Sequence, residues 1–406
     1  MSIPLTMEYI LIISFIAFTG LLLRRLLKLE LTLSSILAGI LGAILIAYLG
    51  LDTGIRATNV KDLVFYIILP LLIFVSSWHI EFNQFTRWFW VCFLLATLGL
   101  LISMAVSAVG IYFAIGHPEG FPWLAALLVG VMLAATDPVS VAEQLKQANA
   151  PRSLQTLFEG ESLLNDATAV VVFGVLLTYA LNQQPESHAV ITFSLVFIGG
   201  LAVGVLLGLL AAALIRYLAD QSASVVVLIV TAFASFYIAE HVLHVSGILA
   251  VMMAAISSRF LLDKYTSDLL CNAAPTWEWI GLFLNAVIFS LMGLLITWNM
   301  FIDQWLAILI AIVVSLIARF IAVYVIALLT SKSKKNISMT WAGLMSWGGL
   351  KGAIAVVLVL SLPVELEYWW TVQSMVFGVV LFSLLVQGAS FPVLLKRILN
   401  KQVSQK

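Results

Sequence analysis

Charge is what this sequence has little of. Only 10% of its 406 residues are Asp, Glu, Lys or Arg, 63% are hydrophobic, and mean hydropathy is +1.12. Soluble domains carry about 25% charged residues, so no water-facing surface can be built from this chain. An excess of one sign is missing too. Twenty Lys and Arg balance twenty Asp and Glu with no long basic run, which excludes nucleic acid as a partner. Cysteine is nearly absent: Cys92 and Cys271 lie far apart and fit neither a disulfide framework nor a metal site, and both read as packing or loop residues. Enzyme motifs are missing as well. There is no His-Glu-x-x-His and no Gly-x-Ser-x-Gly, and His79, His117, His188, His241 and His244 fall at the ends of apolar runs or between them. Neither an enzyme nor a resident cofactor is expected.

What the chain does have is apolar length. Thirteen runs suit helices that cross a bilayer: 7–23, 31–50, 63–80, 88–116, 121–145, 159–181, 189–217, 222–240, 246–262, 277–298, 303–330, 338–361 and 370–395. A helical crossing needs about 20 such residues, and the period-2 alternation of a membrane β-barrel is missing. The expected fold is an all-α polytopic membrane protein, one transmembrane domain over 1–397 with a short tail at 398–406. The first run has no positively charged segment before it and is followed by Arg24, Arg25 and Lys28 rather than a cleavage pattern, so it reads as a retained span.

Basic residues orient the spans. Arg24, Arg25, Lys28, Arg87, Lys146, Arg152, Arg216, Arg259, Lys264, Lys332, Lys334, Lys335, Lys396, Arg397, Lys401 and Lys406 lie in or beside the odd-numbered links and the C-terminus, whereas the even-numbered links carry only Arg56 and Lys61. The positive-inside rule then places the N-terminus outside and the C-terminus in the cytoplasm. The remaining two, Arg319 and Lys351, fall inside spans.

Ionisable groups inside a membrane are costly and are functional candidates by default. Here they are Asp137, Glu161, Asp166, Arg319 and Lys351, with Glu159 at a helix entrance. At about 1.5 Å of rise per residue, Asp137, Asp166, Arg319 and Lys351 lie roughly 12, 10, 16 and 20 Å from the cytoplasmic side, at or near one level. Two spans look broken at matching places. Span five carries Ala135-Thr136-Asp137-Pro138-Val139-Ser140, with a proline that removes a backbone donor. Span twelve carries Ser346-Trp347-Gly348-Gly349-Leu350-Lys351-Gly352. Seven spans apart, they run in opposite directions, as in inverted repeats over 7–181 and 222–395 joined by a linker span at 189–217. In span six, Ser162, Asn165 and Asp166 share a helical face, with Glu161 one turn before Asn165. Carboxylate, hydroxyl, amide and main-chain oxygens are hard ligands that suit a small hard cation such as Na⁺. A carboxylate also takes a proton, so one site can exchange the two. The glycines at 199, 200, 204 and 208 in span seven read as close-packing positions.

These segments together resemble the monovalent cation:proton antiporters, in the electroneutral branch of the prokaryotic NhaP proteins and the animal sodium/proton exchangers. The resemblance rests on Thr136-Asp137-Pro138, the Glu161-Ser162-Leu163-Leu164-Asn165-Asp166 run and Trp347-Gly348-Gly349-Leu350-Lys351-Gly352, and it covers the whole chain. It implies that Asp166 binds the cation and carries the proton, that Thr136 (by its carbonyl), Asp137 and Ser162 complete a Na⁺ site with Asn165 beside it, and that Glu161 and Arg319 form a structural polar cluster near Lys351. It also implies a homodimer in the cell membrane that serves pH and sodium homeostasis. Electrogenic relatives have an aspartate where this chain has Asn165, which implies electroneutral exchange, one cation for one proton. Two positions depart from the pattern. Relatives often have a glutamate in span three where this chain has Val75, which keeps K⁺ open as an alternative to Na⁺ or Li⁺, and Lys351 stands where arginine is usual. The rival class is a cation channel, but channels repeat selectivity rings across subunits, and the acids here form one asymmetric cluster.

Overall fold

The computed structural model describes residues 3–50, 61–78, 82–115, 120–137, 139–181, 189–265, 273–332 and 335–403, and every regular element among them is a helix. In chain order these are α1 (Ile3–Leu27), α2 (Leu31–Leu49), α3 (Lys61–Trp78), α4 (82–114), α5 (Trp123–Ala134), α6 (Val139–Gln147), α7 (Arg152–Ala180), α8 (Ala189–Leu218), α9 (Gln221–Val242), α10 (Gly247–Tyr265), α11 (Ala273–Leu295), α12 (Trp298–Asp303), α13 (Trp305–Thr330), α14 (Met339–Trp347), α15 (Ala353–Leu360) and α16 (369–403). Among the described residues nine helices are long and apolar enough to cross a membrane. Short π turns interrupt α3 at Val64–Ile68, α4 at Leu95–Gly99, α9 at Ile238–Val242 and α16 at Ser383–Gly388. Arg56, His79, His117, Pro138, His188, Cys271 and Lys334 lie outside the described residues.

The helix ends follow local chemistry. Gly50 closes α2 with a left-handed φ of 63°, the usual glycine cap. Asp220 caps α9, its Oδ1 accepting from Ala223 N at 2.6 Å, and Ser338 caps α14, its Oγ accepting from Trp341 N at 3.2 Å. One boundary differs from expectation. The sixth apolar run begins at 159, but α7 starts at Arg152, where the Pro151 carbonyl accepts from Leu154 N at 2.9 Å and Gln155 N at 3.2 Å. Polar residues at a helix entrance hide the first turns from a hydropathy reading, since backbone bonds and not apolarity decide where a helix begins.

The chain divides into two compact units: residues 63–86 with 181–284, and the remainder. In the smaller, α8 lies against α10 with almost no side chain between them. A Cβ on Gly200, Gly204 or Gly208 would come within 2.6, 2.3 and 2.5 Å of the carbonyl oxygens of Ser246, Ala250 and Ala254, the small-residue approach that membrane helices use in place of hydrophobic drive. Phe74, Trp78 and Trp277 cluster in the same unit, with the Arg259 guanidinium 5.2 Å from the Trp78 ring. In the larger unit α2 meets α11 at Gly39 and Gly293, and a Cβ on either would lie 2.2 Å from a backbone oxygen opposite. The interrupted helices α5–α6 and α14–α15 belong to this larger unit, as do α7, α13 and α16.

Candidate functional site

α5 stops at Ala134 because Ala135 turns extended, with ψ 141°, which strips the last carbonyls of their helical partners. Helix α7 supplies replacements. Asn165 Nδ2 donates to Ala134 O at 2.9 Å and reaches Thr136 Oγ1 at 3.5 Å, while Ser162 Oγ donates to Thr136 O. Ser162, Asn165 and Asp166 are all buried and face the break together, as their helical spacing requires.

The second break is longer. α14 ends at Trp347 and α15 begins at Ala353. Between them Leu350 O accepts from Asp137 N at 2.8 Å, so the two breaks are joined main chain to main chain. They also exchange charges. The Lys351 ammonium donates at 3.4 Å to the carbonyl of Ala135, the C-cap of α5. The Asp137 carboxylate lies against Gly352, the N-cap of α15, so closely that a Cβ there would sit 2.3 Å from Asp137 Oδ2. A cation at the negative end of one half-helix and an anion at the positive end of another both favour the crossing. Glycine at 352 is required by that approach.

Beside the crossing, Arg319 of α13 grips Glu161 of α7 with both guanidinium nitrogens. Nη1 donates to Oε1, and Nη2 donates to Oε2 at 3.0 Å and to Met345 O of α14 at 3.2 Å. Gly349 leaves room for the guanidinium, since a Cβ would lie 2.6 Å from Nε. Both partners are buried, and the bidentate fork satisfies charge and direction at once.

Asp166 is within electrostatic reach of Asp137 and Lys351. Among the described residues its Oδ1, and Oδ1 of Asn165, are buried without a hydrogen-bond partner. Buried oxygens left open in a low-dielectric setting are costly, and a hydrated or bare cation, or a proton on the carboxylate, relieves them. All eight residues singled out in the sequence (Thr136, Asp137, Glu161, Ser162, Asn165, Asp166, Arg319 and Lys351) therefore gather in the larger unit. Glu159 pairs with Lys146 at 3.6 Å. The sequence reading missed the tight fit of Gly349 and Gly352 and the backbone roles of Ala135 and Leu350. Only the glycine spacing of 348, 349 and 352 signalled them. Val75 lies in the smaller unit, where it packs against Gly281.

Among the described residues every regular element is a helix, and buried charges meet where two interrupted helices touch, an arrangement that polytopic membrane proteins with discontinuous helices share. Sequence comparison sets the family: the model described as "Sodium/hydrogen exchanger, transmembrane" matches residues 11–397, and the chain belongs to that family of multi-pass membrane proteins. It is similar to the Na(+)/H(+) antiporter ApNhaP of Aphanothece halophytica, at 33% identity over 85% of this chain and 66% of that one. It is similar also to the low-affinity Na(+)/H(+) antiporter NhaS1 of Synechocystis, at 34% identity over 82% of this chain and 64% of that one. The chain thus spans just under two thirds of these relatives. Its fold matches the sodium proton antiporter MjNhaP1 of Methanocaldococcus jannaschii with a TM-score of 0.81 at 18% identity, covering 96% of this chain and 99% of that one.

Proposed function

We propose that the protein exchanges a monovalent cation, Na⁺ or Li⁺, for H⁺ by alternating access in the cell membrane, serving pH and sodium homeostasis. The observation that carries the reading is the pair of open buried oxygens on Asp166 and Asn165, beside the carbonyl-rich break of α5. Asp166 holds the cation and the proton in turn. Asp137, the Thr136 carbonyl and Ser162 complete the oxygen set, Glu161 and Arg319 fix helix register, and Lys351 balances the half-helix dipoles. The reading takes thirteen crossings, inverted repeats over 7–181 and 222–395 around a linker span at 189–217, an outside N-terminus, a cytoplasmic C-terminus and a homodimer. K⁺ is the second reading, and Val75 supports it: an apolar side chain packed on Gly281 stands where relatives often supply a carboxylate.

Exchange is electroneutral in this scheme. Asn165 carries no proton at any working pH, so Asp166 alone changes occupant and +1 moves each way. The membrane potential, worth about 2.3 kcal/mol per charge per 100 mV, drops out of the driving force. Proteoliposomes loaded with a pH dye test both points. Dequenching is expected with Na⁺ and Li⁺, with a rate and end point unmoved by a valinomycin-clamped potential. Response to K⁺ alone would shift the cation, and an end point that follows voltage would overturn the one-to-one exchange.

A further inference from the structure

A broken helix in a membrane must find partners for every backbone group it frees, because no bulk water is there to take them. Over residues 345–352 those partners come from several directions. Met345 O is held by Arg319, Leu350 O by Asp137 N, and Gly348 O by Leu350 N at 2.8 Å. Two further groups are held by one helix, α16. Gln387 Nε2 donates to Trp347 O at 2.9 Å, and Ser383 Oγ accepts from Lys351 N at 2.9 Å. Ser390 adds a third tie, its Oγ accepting from Trp347 Nε1 at 2.9 Å. Ser383 and Gln387 are buried and stand four residues apart, on one face. Both lie in the Ser383–Gly388 π turn, Ser383 at its start and Gln387 one residue before its end, a local widening frequent at functional sites. Buried polar side chains in an otherwise apolar membrane helix are costly unless they meet partners, and here both meet the loop that carries Lys351.

We propose that Ser383 and Gln387 are positioning residues that clamp the open segment 347–352 from both ends, and so fix where Lys351 and the Leu350 carbonyl meet the α5 break. The proposal rests on the antiport reading above, to which it adds two determinants of cation affinity and pH response. Neither residue touches the cation. Each acts through the main chain that it holds, one at the last carbonyl of α14 and the other at the amide of Lys351.

The test uses the full chain in detergent and in proteoliposomes, with Ser383→Ala, Gln387→Leu, the conservative Ser383→Thr, and Ser374→Ala as control. Ser374 lies on the same helix, and among the described residues its Oγ bonds the Trp370 carbonyl. Hydrogen exchange at the Lys351 amide is expected to rise about fivefold in Ser383→Ala, the equivalent of one ordinary hydrogen bond, and to return in Ser383→Thr. The apparent KM for Na⁺ and the pH midpoint of exchange should move in Ser383→Ala and Gln387→Leu, with little change in thermal midpoint, and stay at the parent's values in Ser374→Ala. Unchanged protection of the Lys351 amide would overturn the clamp. Loosened protection with an unmoved KM and pH profile would reduce it to packing and overturn its role in affinity. If the parent itself exchanges no cation for protons, the antiport reading falls, and the amide result still decides the clamp.

Discussion

Glu161 and Arg319 meet as a closed fork, two nitrogens on two oxygens, with Met345 O taking a further hydrogen bond. A few residues along the same helix, Asp166 keeps Oδ1 without a partner among the described residues, and Lys351 directs its ammonium to the Ala135 carbonyl. Both clusters are buried and both bridge separate helices, so burial does not separate them. Completeness does. The one open atom of the Glu161–Arg319 pair is Arg319 Nε, a donor that cannot take a cation, whereas Asp166 and Asn165 leave oxygens open, and the proposed division of register-setting from ion exchange rests on that difference.

The sharpest way to break that division is to change the open cluster without disturbing the fold. Asp166→Asn keeps the volume and removes the charge, and exchange in proteoliposomes should fall to the level of empty liposomes while the thermal midpoint stays near the parent's. Substantial pH-coupled exchange by this variant would move the carrier elsewhere. The closed cluster should fail in the opposite sense. Arg319→Ala strands the Glu161 carboxylate at a cost of about 3–5 kcal/mol, read as a lower thermal midpoint and poorer yield. A double change to apolar residues, Glu161→Leu with Arg319→Met, should recover much of that stability. An Arg319→Ala protein that is as stable as the parent but inactive would place the pair in transport instead.

Lys351 stands between the two and should give the smallest effect. Lys351→Arg keeps the cation and should leave exchange near the parent's level. Lys351→Met takes a positive charge from beside Asp166 and Asp137, so each binds its proton more readily, and the activity profile should move to more alkaline pH. Superimposable profiles for Lys351→Met and the parent would leave the lysine a helix-end feature only.

Much of this layer was legible in the chain. Charges so rare in an apolar sequence mark themselves, and the spacing of Ser162, Asn165 and Asp166 announces one helical face. Pro138, a residue outside the described ones, predicts a break in span five, and the loss of helix falls at Ala135–Asp137. What could not be read is which backbone atoms take which partners. Every residue carries a carbonyl, so nothing in the letters singles out Leu350 O for Asp137 N. Nor does an apolar run announce that a serine and a glutamine of the last helix reach a break more than thirty residues earlier. The early start of α7 at Arg152 was lost for a related reason, because hydropathy registers membrane and not hydrogen bonding.

Ala134, Ala135, Thr136, Trp347 and Leu350 take part in the crossing through main-chain oxygens, and Asp137 and Lys351 also through their amides. Point mutation cannot delete a carbonyl. Arg in place of Lys at 351 would therefore leave the main-chain oxygens of the crossing where they are. Selection then works on a scaffold that is robust to substitution and tuned by a handful of side chains. In the proposed antiporter, ion preference can then be changed at a few side chains while the main-chain oxygens stay in place.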